Sequence, residues 1–295
     1  MRVLLYSDGS PESESAARFT AMLVRNTNPS VTVLGVAEDT ASNDSLLQAL
    51  AGTQKVLQDQ GITADLVLKQ GEAIPGIVQY ARETRFDLVA IGAIRKGFGG
   101  LRTIWRNAYR VIRGVAPPVL VVVGSPNTCS RVLLCSSGRD DFDYAIKFTA
   151  ELARAAGASV LLLHIFVEAP AMYADLRARS ENQDWLLHSG SSLARTLQSQ
   201  KGLFLREGVA CELRLAHGYV TDEILNQVQT GGHDLLVVGS NPSGSPIESY
   251  ILGDVTRELI SAVQVPVLVV RATSGSTGLQ SRLRRLLSAF GINSR

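Results

Sequence analysis

The chain has 295 residues, 45% of them hydrophobic and 19% charged, with a formal net charge of +2. That composition excludes low-complexity disorder and is sufficient for two domain cores. No apolar run approaches the roughly 18 residues of a membrane-spanning helix, and the chain enters an apolar run at Arg2 with no signal-peptide pattern, so a soluble, cytoplasmic protein is expected.

From the first residue onward, short Val/Leu/Ile runs alternate with segments of helical period. The runs predict strands over 2–7, 31–37, 63–69, 86–92 and 118–123, and the segments between them predict helices over 11–26, 45–60, 73–85 and 102–115. Ser10 before Pro11 is an N-cap with proline at the first helical position, where the missing N–H costs nothing. The order then repeats, with strands over 131–136, 159–166, 210–215, 233–239 and 266–271. Strand runs apolar on both faces suit a parallel sheet covered by helices on each side. The expected fold class is therefore α/β, with two tandem doubly wound five-stranded parallel-sheet domains and ligands at the carboxyl ends of the strands.

The second half is a copy of the first. RVLLYSDGS at residues 2–10 matches RVLLCSSGR at an offset of 129, while Asp87 and Gly92 match Asp234 and Gly239 at an offset of 147. The drift places an insertion of 18 residues in the second copy, around 166–200, in the loop and helix after its second strand. A period this long indicates tandem domains rather than a solenoid. We expect a first domain over 1–126, a second over 127–271 and a basic tail over 272–295.

On these residues the chain resembles the universal stress protein family in a tandem two-domain form. The resemblance implies a flavodoxin-like, adenine nucleotide alpha hydrolase-like fold. It also implies a nucleotide site built from an Asp-Gly after the first strand and a Gly-x2-Gly-x9-Gly-Ser/Thr signature after the fourth. In nucleotide-binding members the aspartate lies by the adenine end, and the glycines and Ser/Thr cradle the phosphates. Glycines let backbone N–H groups approach a phosphate closely, and a helix N-terminus adds a favourable field.

Each copy departs from that pattern. The first keeps Asp8 and Gly92 but has Arg95 at the second glycine and Trp105-Arg106 in place of Gly-Ser/Thr. The second has Ser137 in place of the aspartate. It keeps Gly239 and Gly253, with Ser240, Ser243 and Gly244 in the loop and Asp254 at the Ser/Thr position, where a carboxylate opposes a phosphate. The expected ligand is ATP or AMP, at most one per chain and in the second domain ahead of the first, in a stress-response module without catalytic chemistry. The alternative is a nucleotide-free scaffold working through protein contacts and oligomerisation. No Walker A lysine and no GxSxG elbow is present.

The remaining polar residues admit plainer readings. His164 and His217 fall at the carboxyl ends of strands, where a shared metal is conceivable, but two ligands are too few and no metal site is expected. His188 and His233 read as surface or loop residues. The odd count of three cysteines argues against a disulfide framework, with Cys135 and Cys211 in strands and Cys129 in the linker. Arg102, Arg106, Arg110 and Arg113 line one helical face, but without an aromatic platform they do not indicate nucleic acid.

Two expectations concern assembly. The fifth strands of the two domains should pair within the chain, with Arg106 and Arg110 set against Asp254 and Glu258. In the tail, Leu279, Leu283, Leu286, Leu287 and Phe290 form the apolar stripe of a short basic helix. Such a helix should dock on its own domain, on a partner protein or, least of all, on a membrane surface.

Overall fold

A computed structural model of the chain describes residues 1–38, 43–92, 100–139, 142–166, 190–240, 258–259 and 261–271, with the backbone alone at 100–106 and 240. The first half runs β1 (Arg2–Tyr6), α1 (Pro11–Val24), β2 (Ser30–Ala37), α2 (Asn43–Gln58), β3 (Ala64–Gln70), α3 (Ala73–Glu83), β4 (Leu88–Gly92), α4 (Gly100–Gly114) and β5 (Val119–Val122). The second half runs β6 (Arg131–Cys135), α5 (Asp143–Ala156), β7 (Ser159–Phe166), α6 (Ser192–Arg206), β8 (Cys211–His217), α7 (Val220–Gly231), β9 (Leu235–Ser240) and β10 (Val267–Arg271).

Alternation along each strand sorts the apolar residues onto two faces. Val3, Leu5, Val31, Val33, Leu88 and Ala90 pack with Ala17 and Phe19 of α1 and with Leu50 and Leu57 of α2. Leu4, Tyr6, Leu34, Val36, Val89 and Ile91 pack with Ile77 of α3 and with Ala108 and Val111 of α4. Each Val, Leu, Ile or Phe among them contributes about 1.5–3 kcal/mol when fully buried, so the two layers on either side of the sheet hold each domain. The helices are placed by local signals. Ser10 caps α1 by accepting a hydrogen bond from Ser13 N–H, with Pro11 at the first helical position.

All ten strands lie in one sheet, in the order β3-β2-β1-β4-β5-β10-β9-β6-β7-β8. Pairing is parallel within each half, whereas β5 and β10 run antiparallel with Val119 opposite Val269 and Val121 opposite Val267. This seam covers two apolar edges that would otherwise template aggregation. Side-chain hydrogen bonds cross it as well. Asn26 Nδ2 donates to the Ala155 carbonyl at 2.6 Å, and Arg271 Nη1 donates to the Val115 carbonyl at 2.9 Å, at the carboxyl end of α4. Glu258 accepts from Thr221 Oγ1 of its own domain at 3.2 Å, and Arg110 is exposed. The side chains of Arg106 and Asp254, and the tail over 272–295, lie outside the described residues.

The copies differ in two places. Helix α6 stands at the position of α2 on the offset of 147, so the inserted residues precede it, within 167–189 outside the described residues. Helix α5 begins at Asp143, the counterpart of Glu14, and its N-cap position is Phe142, with no side-chain capping bond. Among the described residues, no helix is long and apolar enough to cross a membrane.

Candidate functional site at the strand ends

The carboxyl ends of β1 and β4, and of β6 and β9, stand side by side in their halves, because β1 pairs with β4 and β6 with β9. In the first domain the β1 loop is held by a buried hydroxyl cluster. Ser7 Oγ is hydrogen-bonded to Ser13 Oγ at 3.1 Å and to Thr53 Oγ1 at 2.8 Å, and it accepts from Gly9 N–H at 3.3 Å. Asp8 Oδ1 accepts from both Ser10 N–H and Ser10 Oγ, at 3.1 and 2.6 Å. The carboxylate is thereby turned onto its own loop in an Asx turn. Two glycines are required here by space. A Cβ on Gly9 would lie 2.3 Å from Ala49 Cβ, and one on Gly92 would lie 2.4 Å from the Glu12 carbonyl oxygen.

The second domain builds the same knot from different atoms. Ser136, the counterpart of Ser7, donates to Gln200 Oε1 at 2.7 Å and accepts from Gly138 N–H at 3.0 Å. Gln200, the counterpart of Thr53, reaches further and donates to the Arg139 carbonyl at 3.0 Å. Ser137, at the aspartate position, is exposed. Phe142, at the position of Ser13, lays its ring on the β9 end, so that a Cβ on Gly239 would lie 1.9 Å from Phe142 Cε2. Where the first domain seats a helix turn on its strand-end glycine, the second seats an aromatic ring.

The structure therefore brings Asp8 and Gly92 to one strand edge and Ser137, Gly239 and the Ser240 backbone to the other. Ser243, Gly244, Gly253 and Asp254 lie outside the described residues, as does His188. The knot itself escaped sequence reading. Its signal was present in the paired offsets of Ser7 with Ser136 and of Thr53 with Gln200.

His164 and His217 do reach the ends of β7 and β8, and the Phe166 ring packs against both. It lies edge-on to His164 at 4.9 Å and stacked on His217 at 5.0 Å. His164 Nδ1 is bonded to the Ser136 carbonyl at 2.9 Å. A carbonyl accepts, so Nδ1 carries the proton. Burial holds the imidazole below its ordinary range, against the opposing pull of that bond. Among the described residues, no three His, Cys, Asp or Glu side chains converge as a metal set. Cys129 is buried and Cys135 and Cys211 are half-buried, all three as free thiols.

One expectation fails. His233 is not a surface residue but 4% exposed. It follows the Gly231-Gly232 pair at the end of α7 and occupies the position of Phe86, a core residue of the first domain.

The family model for the universal stress protein family matches residues 1–123 and again 129–271. A universal stress protein from Archaeoglobus fulgidus is similar over 92% of this chain and 97% of its own, at 17% identity and a TM-score of 0.66. A universal stress protein from Pseudomonas aeruginosa, so named provisionally, is similar over 97% of each chain, at 16% identity and a TM-score of 0.65. A functionally unknown protein from the same species covers 98% of this chain and 97% of its own, at 13% identity and a TM-score of 0.67. No curated protein matches the sequence.

Proposed function

The chain belongs to the universal stress protein family, and from that membership we propose that it is a non-enzymatic stress-response module with degenerate strand-end clefts. It takes at most one ATP or AMP per chain, in the second domain over 127–271. The observation that supports this reading is the complementary loss at the two clefts. The first domain retains Asp8, turned onto Ser10 by two hydrogen bonds. The second retains Gly239 and Gly253, with Gly244 near the second glycine position, but has Ser137 where the aspartate stood. Neither half carries both ends of the pattern, so two equivalent sites are not expected.

A second reading rests on the Phe142 ring, which occupies the approach to the Gly239 backbone. With that approach filled, the molecule works as a nucleotide-free scaffold presenting one continuous ten-stranded body to protein partners or to further copies of itself. Calorimetric titration with ATP and AMP, together with ultraviolet absorbance of the acid-quenched protein, separates the two. One site per chain, strengthened by Asp254→Ser through removal of a like charge, supports the first reading; two equal sites overturn it, and no heat with no released nucleotide selects the scaffold.

A further inference from the structure

The ten-stranded sheet has two outer strands, β3 in the first domain and β8 in the second. In a parallel pair, alternate residues turn their backbone groups to the neighbour and the others turn theirs away. Gly71 N–H donates to the Ala37 carbonyl of β2 at 2.9 Å, so the backbone groups of residues 65, 67 and 69 point at β2 and those of Leu66 and Leu68 point outward. The carbonyl of Ala64, also outward, accepts from Gln54 Nε2 of α2 at 2.6 Å. Beyond Leu66 and Leu68 the sheet has no further strand.

This edge is apolar at its centre. Leu66, Val67 and Leu68 are consecutive and all half-buried. Leu66 and Leu68 pack with the α2 layer, and Val67 packs on the other face with Tyr80 of α3. Leu47 stands on the same stripe of α2 as Gln54, through Ala51, and is 42% exposed. A bare edge of this kind is a template for another strand. Asp65 and Lys69 flank the run, both exposed. Lys69 Nζ lies over the Tyr80 ring at 5.5 Å, and Asp65 has no ion-pair partner among the described residues. Charges commonly guard an edge, yet these two are opposite in sign and stand two residues to either side of Val67.

We propose that a second copy of the chain pairs antiparallel with β3 about a two-fold axis through Val67. Backbone and side chains specify the same register. With Val67 opposite its own copy, Leu66 of one chain stands opposite Leu68 of the other. Their backbone groups are the ones that point outward, and each such pair exchanges two backbone hydrogen bonds. In that register Asp65 faces Lys69 on both sides of the axis, and opposite charges directly across a strand pair are favourable. A slip of one residue would set an outward residue against one turned inward, and a slip of two would separate the charges. The chain already joins two parallel sheets by an antiparallel pair, with Leu120 of β5 opposite Leu268 of β10. The second domain supplies a control. Arg214 stands there at the position of Val67, so the equivalent axis would set it against its own copy, and it is already bonded to Glu212 at 2.7 Å and to Gln227 at 3.0 Å.

Sedimentation velocity of the full-length protein over a concentration series reads the association, with circular dichroism to show that each variant is folded. The protein should form a reversible dimer. Val67→Arg, which reproduces the residue of the second domain, should weaken it by about tenfold or more, because two arginines then meet on the axis. Asp65→Lys and Lys69→Asp each set like charges opposite one another at two places, and each alone should weaken it by about tenfold. Mixing these two variants should restore the dimer, since each chain then offers the other two opposite-charge pairs. A chain that stays monomeric throughout, a dimer that survives Val67→Arg, or a mixture no tighter than its components would each overturn the proposal. The pairing holds whether or not the strand-end clefts take nucleotide, so calorimetry and sedimentation can fail separately.

Discussion

Substituting the two strand-end glycines by alanine separates the two ways this chain closes its clefts. A Cβ on Gly239 would lie 1.9 Å from Phe142 Cε2 and 2.7 Å from Cζ, where ordinary carbon contacts are about 3.5–4.0 Å. The ring must retreat from a seat where Phe142 is buried, and overpacking of this kind costs about 1–3 kcal/mol. Shortening the ring should return much of it. Phe142→Leu alone loses packing, but in the double variant with Gly239→Ala the two changes should couple favourably by about 1–2 kcal/mol. At Gly92 the obstacle is backbone, with the Glu12 carbonyl oxygen at 2.4 Å and Ser13 N at 2.9 Å. No side-chain truncation relieves that contact. Gly92→Ala should cost about 3 kcal/mol, with Ser13→Ala giving no rescue, because the first turn of α1 and its Ser10 cap must move. Urea unfolding followed by circular dichroism on the four singles and two doubles reads both couplings. If Gly239→Ala and Phe142→Leu prove additive within about 0.5 kcal/mol, the ring does not close the second cleft and the reasoning fails.

Arg271→Met keeps the apolar stem but removes the bonds to the Val115 and Arg113 carbonyls, and should destabilise the chain by about 1–2 kcal/mol after allowing for partial exposure. The urea midpoint reads it, and an unchanged midpoint would mean that the seam stands on strand pairing and helix packing alone. His164 and His233 are both held below their ordinary range by burial, so the unfolded chain takes up protons that the folded chain refuses. Their contribution to stability is fully present above the unfolded imidazole pKa of about 6.5 and is lost as pH falls below it. The thermal midpoint should therefore drop between pH 7 and pH 5, before the carboxylates titrate, and the drop should shrink in a His164→Gln, His233→Phe double variant; an identical slope would place the loss elsewhere.

The fold was legible because its signals are local and duplicated. Ser10-Pro11 opens α1, and the apolar runs at 119–122 and 267–270 mark the strands that meet at the seam. The matched pair Asp87 and Asp234 sits where each domain ties its first strand to its fourth. Side-chain partnerships were not legible in the same way. His233 follows two glycines and reads as a turn residue, yet its counterpart Phe86 is a core side chain. The offset that identifies Gly239 with Gly92 also identifies His233 with Phe86, so the burial could have been inferred from the copy. Phe142 is harder. It stands at the position of a serine, and its ring lies on Gly239, on a strand far along the chain. That depends on packing between elements distant in sequence, which neither periodicity nor capping encodes.

Fusing two copies changes what substitution can do. In a symmetric pair of identical halves, every change at one cleft appears at both, and a residue needed at either is held in both. Here the halves share a backbone frame and differ at each edge. Asp8, Ser13 and Thr53 stand against Ser137, Phe142 and Gln200 at the carboxyl edge, and Phe86 and Tyr80 stand against His233 and Gln227 at the amino edge. The substitutions do not erode the second half at random. Gln200 reproduces the bond of Thr53 to the first-strand serine and adds one to Arg139, and Phe142 fills the space that a helix turn fills in the first half. At the amino edge the direction reverses, and a filled apolar position becomes a polar cavity with an unpaired imidazole. The sheet between the two edges is paired alike in each half, β1 between β2 and β4 and β6 between β7 and β9, so the edges can differ while the fold stays constant.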